Sequence, residues 1–103
     1  MSGATYRQTV RVTNPNGFHM RPQQQFVELA RRFQASVTVS RDGRSVDGKS
    51  IFELMGNMLT PQGGELLVET SGPDASEALA ALVGLIEKSN TPDDPEPPLP
   101  QKG

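Results

Sequence analysis

The sequence contains no cysteine, no tryptophan and a single histidine, His19. Without cysteine there can be no disulfide, no thiolate metal site and no cysteine nucleophile. One histidine cannot furnish the histidine pairs or triads of common catalytic zinc sites, so neither metal nor cofactor is expected. Long hydrophobic runs are missing too. The longest is Ala78 to Val83, followed after Gly84 by Leu85 and Ile86, far short of the ~20 residues that cross a bilayer. The opening stretch Met1-Ser2-Gly3-Ala4-Thr5-Tyr6-Arg7 has no apolar segment of the signal-peptide kind. These absences point to a cytoplasmic protein that does not insert into membranes. Its 103 residues suffice for one domain with a modest core, and a monomer is expected.

Charge is small in total and uneven along the chain. The net value is −2, but Met1 to Phe52 holds eight basic and three acidic residues, while Glu53 to Ser89 holds one basic and six acidic. A basic half that also carries the histidine suits an acidic partner or a phosphate, unless folding interleaves the halves and cancels the field. Nucleic acid is not expected as a partner, because the pI is about 5.3 and the basic residues lack interleaved aromatics.

Two regions follow from composition. Residues 90–103 hold Pro92, Pro95, Pro97, Pro98 and Pro100 and almost nothing apolar, which predicts a disordered proline-rich tail. Residues 1–89 read as one α+β domain. Tyr6, Val10 and Val12 alternate as the inner side of a first strand. Asn14-Pro15-Asn16-Gly17 is a turn. Pro22 suits the first turn of a helix over 21–33, whose inner face is Phe26, Leu29, Ala30 and Phe33. Val37 and Val39 mark a strand, and Asp42-Gly43 a hairpin leading to a strand near 44–48.

Ser50-Ile51-Phe52-Glu53 is a capping-box pattern that opens a short helix with Leu54 and Met55. Pro61 and Gly63-Gly64 break the chain before a strand at Leu66, Leu67 and Val68. Asp74 is placed to cap a last helix, with Glu77 at its third position and Leu79, Leu82, Val83 and Ile86 facing inward. The order β-α-β-β-α-β-α suits a four-stranded antiparallel sheet with three helices on one face.

The stretch that carries chemistry is Asn16-Gly17-Phe18-His19-Met20-Arg21-Pro22, because it sets the lone histidine immediately before a helix start. Helix N-termini present unbonded amides and a partial positive charge, which favours an anion. The same field disfavours an imidazolium and leaves a ring nitrogen available as a nucleophile. A phosphoryl group on His19 would be held by that helix end, with Arg21 adding a charge-assisted contact. Gly17 would let the turn approach closely. Read alone, such a histidine is more often a plain N-cap or surface residue.

The run Pro15-Asn16-Gly17-Phe18-His19-Met20-Arg21-Pro22 resembles the active-site signature of HPr, the histidine-containing phosphocarrier of the bacterial sugar phosphotransferase system. In that family an Asn-Gly-Leu-His-x-Arg-Pro stretch surrounds the phosphorylated histidine. Gly48-Lys49-Ser50-Ile51-Phe52 resembles the family's regulatory serine site at the start of its second helix. The likeness spans about residues 5–89 and implies an open-faced β-sandwich.

It further implies that His19 accepts a phosphoryl group on Nδ1 from enzyme I, charged by phosphoenolpyruvate, and passes it to an enzyme IIA-type histidine. Arg21 would balance the phosphate, while Asn16, Gly17 and Met20 shape the phosphate loop. Ser50 would be the target of an HPr kinase/phosphorylase. Phe18, Met20, Phe52 and Met55 would form the docking patch, with Met20, Phe52 and Met55 at least partly exposed. Such a protein is a relay intermediate rather than an enzyme.

The chain departs from the family pattern at several positions. Met20 stands where a small residue is usual, Gln23 and Gln24 replace small alanines, and Glu28 and Glu53 stand where many relatives carry lysine. These changes flank the nucleophile and the expected docking surface, so they bear on partner choice. A regulatory HPr-like module that controls a kinase or transcription factor without sugar transport is the alternative. Phosphorylation by enzyme I would separate the two.

Two other chemistries are set aside on sequence grounds. Gly43-Arg44-Ser45-Val46-Asp47-Gly48-Lys49-Ser50 fits G-x-x-x-x-G-K-[ST], the pattern of a nucleotide-binding P-loop. That mechanism needs a buried parallel strand before the loop and a long helix after it. Here a half-exposed strand and a hairpin precede the motif, and Gly56 and Pro61 keep the next helix short. A serine hydrolase elbow would need a final glycine that Gly48-Lys49-Ser50-Ile51-Phe52 lacks.

Overall fold

A computed structural model describes residues 4–88. The predicted tail, 90–103, lies outside the described residues. The elements run β1 (Thr5–Arg11), α1 (Met20–Ala30), β2 (Ser36–Arg41), β3 (Arg44–Asp47), α2 (Ile51–Asn57), β4 (Glu65–Ser71) and α3 (Ala75–Lys88). The four strands form one antiparallel sheet in the order β1-β4-β2-β3. β4 is therefore a central strand although it is last in sequence.

The register explains which face is covered. Val10 pairs with Leu66; Val39 pairs with Val68 on one side and Val46 on the other. Because side chains alternate along a strand, these pairs all point to one face. That face packs against Phe26 and Val27 of α1, Leu54 of α2 and Leu82, Val83 and Ile86 of α3, all buried in one cluster. Each large side chain buried in this way contributes about 1.5–3 kcal/mol. The opposite face carries polar cross-strand pairs: Arg7 Nη2 to Glu69 at 3.5 Å, Arg11 Nη2 to Glu65 at 3.4 Å, and Thr5 Oγ1 to Ser71 Oγ at 3.0 Å. Here the basic and acidic halves of the sequence meet, so their charges cancel locally.

Several expectations need correction. Tyr6 is 42% exposed, so only Val10 of β1 joins the core; Val12, also buried, lies one residue beyond the strand. Sheet alternation put Tyr6 on the covered side, but it sits at the end of an edge strand where cover runs out. α1 ends at Ala30, three residues early, and Phe33 packs beside Ala35, Ala75 and Ala78 in a separate small cluster.

Asp74 precedes α3 and its carbonyl accepts from Ala78 N–H at 2.9 Å. Its carboxylate, however, accepts the Gln34 and Ala35 amides at 2.9 and 2.8 Å. It thus tethers the α1–β2 connection rather than capping its own helix. Those bonds, the Gln34 amide first, hold the Asp74 carboxyl below its ordinary value of 3.8, and Lys49 adds to the effect.

Candidate functional site

The loop before α1 is held by backbone contacts. Gly17 N–H donates to Asn14 O at 2.8 Å, closing the Asn14–Gly17 turn, and Asn16 N–H donates to Asn14 Oδ1 at 2.9 Å. Phe18 N–H then donates to Thr60 O at 2.7 Å, and the two residues form an isolated antiparallel bridge. Gly17 has φ +80, and a Cβ there would collide with the Thr60 carbonyl oxygen. Both the turn and the close approach demand glycine.

His19 is the N-cap residue of α1, with extended backbone (φ −100, ψ −160) and no side-chain capping bond. The intrahelical ladder starts with Gln23 N–H donating to His19 O at 2.9 Å. The Met20 and Arg21 amides thus lie outside that ladder, and Pro22 has no N–H to offer. No acidic residue stands in the first turn. Within that first turn nothing offsets the partial positive charge of the helix end. His19 is half-buried, and its Nε2 is enclosed and unpartnered. Arg21 is exposed at the same helix end. Asn16, His19, Leu59, Thr60 and Pro61 line one open depression.

Burial divides the expected docking residues. Met20, Met55 and above all Phe52, 81% exposed, lie at the surface. Phe18 does not: it is 2% exposed and stacks edge-on against Phe26, centroids 5.9 Å apart. Its backbone serves the site and its ring serves the core. Gln23 is a second correction, because it is 0% exposed rather than part of a contact surface. Its Nε2 donates to Phe18 O at 2.9 Å and to Leu54 O at 3.3 Å. Gln24, by contrast, is exposed.

Leu59, 62% exposed and beside His19, is a site residue that sequence reasoning misses. The only signal for it is an apolar residue outside any periodic pattern, just before Thr60-Pro61.

Ser50 caps α2, its Oγ accepting from Glu53 N–H at 3.3 Å. The reciprocal half of the predicted box differs: Glu53 Oε1 accepts from Asp47 N–H at 2.9 Å, not from Ser50. Ser50 N–H is already taken by Asp47 O at 3.1 Å. Lys49 Nζ donates to Phe33 O at 2.8 Å, and Arg31 Nε to Lys49 O at 3.3 Å. The P-loop reading fails on this geometry. Its lysine is engaged by the Phe33 carbonyl in the α1–β2 connection, its first half is an antiparallel hairpin, and α2 has only seven residues. Among the described residues no His, Cys, Asp and Glu side chains group into a metal site, and no helix is long and apolar enough to cross a membrane.

Comparison with known proteins agrees with this architecture. Residues 6–88 match the PTS-HPr family model, described as the PTS HPr component phosphorylation site. Phosphocarrier protein HPr of Vibrio cholerae is 39% identical over 83 residues, covering 81% of this chain and 96% of its own length. Phosphocarrier protein NPr of Escherichia coli K12 is 38% identical over 84 residues, covering 80% and 91%. The crystal structure of HPr from Bacillus anthracis aligns with a TM-score of 0.76 at 36% identity, over 81% of this chain and 98% of that one. With the match running from β1 to the end of α3 and taking in this histidine loop, the chain belongs to the HPr family of phosphocarrier proteins.

Proposed function

We propose that this protein is a cytoplasmic phosphoryl relay in which His19 is the acceptor and Nδ1 its reacting atom. The observation that carries the reading is His19 at the uncapped start of α1 with Nε2 enclosed. Of its two ring nitrogens, the enclosed one is unavailable to a partner, which leaves Nδ1. In the forward step the Nδ1 lone pair bonds to phosphorus while the N–P bond of the phosphorylated donor histidine on enzyme I breaks. The electron pair of that bond returns to the donor ring. The second step runs the same exchange toward an enzyme IIA-type histidine.

The transferred group meets the amides at the α1 N-terminus and the Arg21 guanidinium, both suited to an anion. Asn16 and Gly17 hold the loop, and phosphohistidine is the one covalent intermediate the relay requires. Met20, Phe52, Met55 and Leu59 form the apolar rim on which donor and acceptor proteins dock.

Ser50 is the regulatory site in this reading, modified by an HPr kinase/phosphorylase. A phosphate there would sit at the α2 N-terminus, where negative charge is favoured. It would also share that end with the Glu53 carboxylate, and Lys49 is engaged elsewhere.

The test is incubation with phosphoenolpyruvate and a competent enzyme I. An acid-labile, base-stable phosphate is expected on the wild type and none on His19→Ala. Absence of label on the wild type overturns the relay and leaves the regulatory module, acting without transfer, as the surviving reading.

A further inference from the structure

Gln23, the fourth residue of α1, is fully buried and bonds to the backbone on both sides of His19. Its main-chain N–H donates to His19 O at 2.9 Å, and its side-chain Nε2 donates to Phe18 O at 2.9 Å. Side chains on a helix lean toward its N-terminus, which brings the amide head back to the loop. The two carbonyls belong to the two peptide units that flank His19. Nε2 also donates to Leu54 O at 3.3 Å, so the same amide joins the loop to α2. These two side-chain bonds fix which way the amide faces, since the reversed orientation would set Oε1 against two carbonyl oxygens.

A residue's φ and ψ describe how its two flanking peptide planes turn about its Cα. Holding both planes therefore holds the extended backbone of His19 (φ −100, ψ −160), and with it the direction in which the ring leaves the chain. Both peptides are trans, so each N–H points away from the carbonyl of its own peptide. With the Phe18 and His19 carbonyls turned to Gln23, the His19 and Met20 N–H groups face away from it, toward the open end of α1. We propose that Gln23 is a positioning residue for phosphoryl transfer: its side-chain amide locks the Phe18–His19 peptide and so fixes the aim of the His19 ring.

Stability alone gives little reason for this side chain. Its Oε1 has no partner among the described residues, and Leu54 O already accepts the Met58 amide at 2.8 Å. A buried amide that leaves its acceptor unmet forfeits much of what its donors gain. What the donors add is one fixed orientation of the peptide before His19. Transfer between two histidines depends on that kind of alignment, and a small misplacement of the reacting atom slows it.

This role rests on His19 being the acceptor, and the experiment separates the two. Initial rates of labelling by phosphoenolpyruvate and enzyme I, measured against carrier concentration, give kcat and KM for the wild type, Gln23→Met and Thr70→Val. Methionine is of similar length and has no donor. Thr70→Val removes another buried bond from a side chain to a carbonyl, Thr70 Oγ1 to Ala75 O at 2.8 Å, at the other end of the β1–β4 pair. In Gln23→Met, kcat should fall on the order of tenfold with KM within about twofold of wild type, because the exposed rim is untouched. Thr70→Val should keep the wild-type kcat. In the wild type itself, hydrogen exchange at Gln23 Nε2, read by NMR, should be as slow as at the buried backbone amides of α1.

A wild-type kcat in Gln23→Met, a change confined to KM, or an equal loss of kcat in Thr70→Val overturns the proposal. Rapid exchange of the Gln23 side-chain amide overturns it without any variant, even where the methionine variant fails to fold. A wild type that enzyme I does not label removes the relay, and the positioning role with it. A labelled wild type beside an equally fast Gln23→Met removes the positioning role alone.

Discussion

Helices α1 and α2 both begin at residues singled out by sequence, yet their N-termini are finished in opposite ways. At α2 the protein completes the helix end itself: Ser50 Oγ takes the Glu53 amide, and Glu53 stands in the first turn with its carboxylate on the Asp47 amide. At α1 the N-cap residue His19 makes no side-chain cap, and the first turn has no acidic residue. One end is satisfied by its own chain. The other has neither a side-chain cap nor a first-turn acid to offset its positive field. The difference separates a helix start completed by its own side chains from one left without a side-chain cap, although both motifs read as phosphate-compatible in sequence.

The comparison can be broken most sharply by capping α1. His19→Asp should abolish phosphoryl acceptance while raising stability by about 0.5–1 kcal/mol, since aspartate is a strong N-cap and the backbone there is already extended. Labelling with enzyme I reads the first effect and denaturant unfolding the second. A variant that is less stable than wild type would show that His19 contributes packing that a cap cannot replace.

Gly17→Ala comes next. With φ +80 and the Thr60 carbonyl in the path of a Cβ, it should cost about 1–3 kcal/mol and slow labelling of His19, because the strained turn also carries the Phe18–Thr60 bridge. Wild-type stability in this variant would mean that the turn adapts.

Ser50→Ala should cost about 1 kcal/mol through loss of its cap and leave labelling at His19 unchanged, which denaturant melts and the enzyme I assay measure in parallel.

The smallest effect concerns the third helix start. The Asp74 carboxyl is held below its ordinary 3.8 in the folded state. Its contribution is therefore complete above that pH and is lost as pH falls through the depressed folded value. Asp74→Asn should lower stability at neutral pH and flatten the fall in stability below about pH 3.8; a pH series of melts tests this. A wild-type acid limb in the variant would assign that limb to other carboxylates.

Much of the fold could be read from local pattern. The Val37/Val39 alternation, the Asp42-Gly43 hairpin with φ of 54 and 81, and the Leu82/Val83/Ile86 face each depend on neighbours within a few residues. The histidine motif and the Ser50 cap are local in the same sense. Tyr6, Phe18, Gln23 and Asp74 depart from their local patterns for a shared reason. Their surroundings come from elements distant in sequence: the limited cover over the edge strand, Phe26 across from the loop, Leu54 on α2, and the amides after α1. A glutamine near the lone histidine reads as a surface residue until the carbonyls of Phe18 and Leu54 are seen to take both its hydrogens. Glu53 obeys the same rule at shorter range, its carboxylate reaching the Asp47 amide rather than the Ser50 amide that the motif predicts.

The sequence by itself determined the element order, the lone histidine at a helix start, and the exclusion of thiol chemistry. These depend on periodicity, turn chemistry and residue inventory, which act locally or by simple presence. Only the tertiary structure decided that one nitrogen of His19 is enclosed, that Phe18 turns its ring into the core, and that Gln23 lies beneath the loop with an unused acceptor. Burial and hydrogen-bond satisfaction are properties of the packed whole, since whether a polar atom has a partner depends on everything that closes around it.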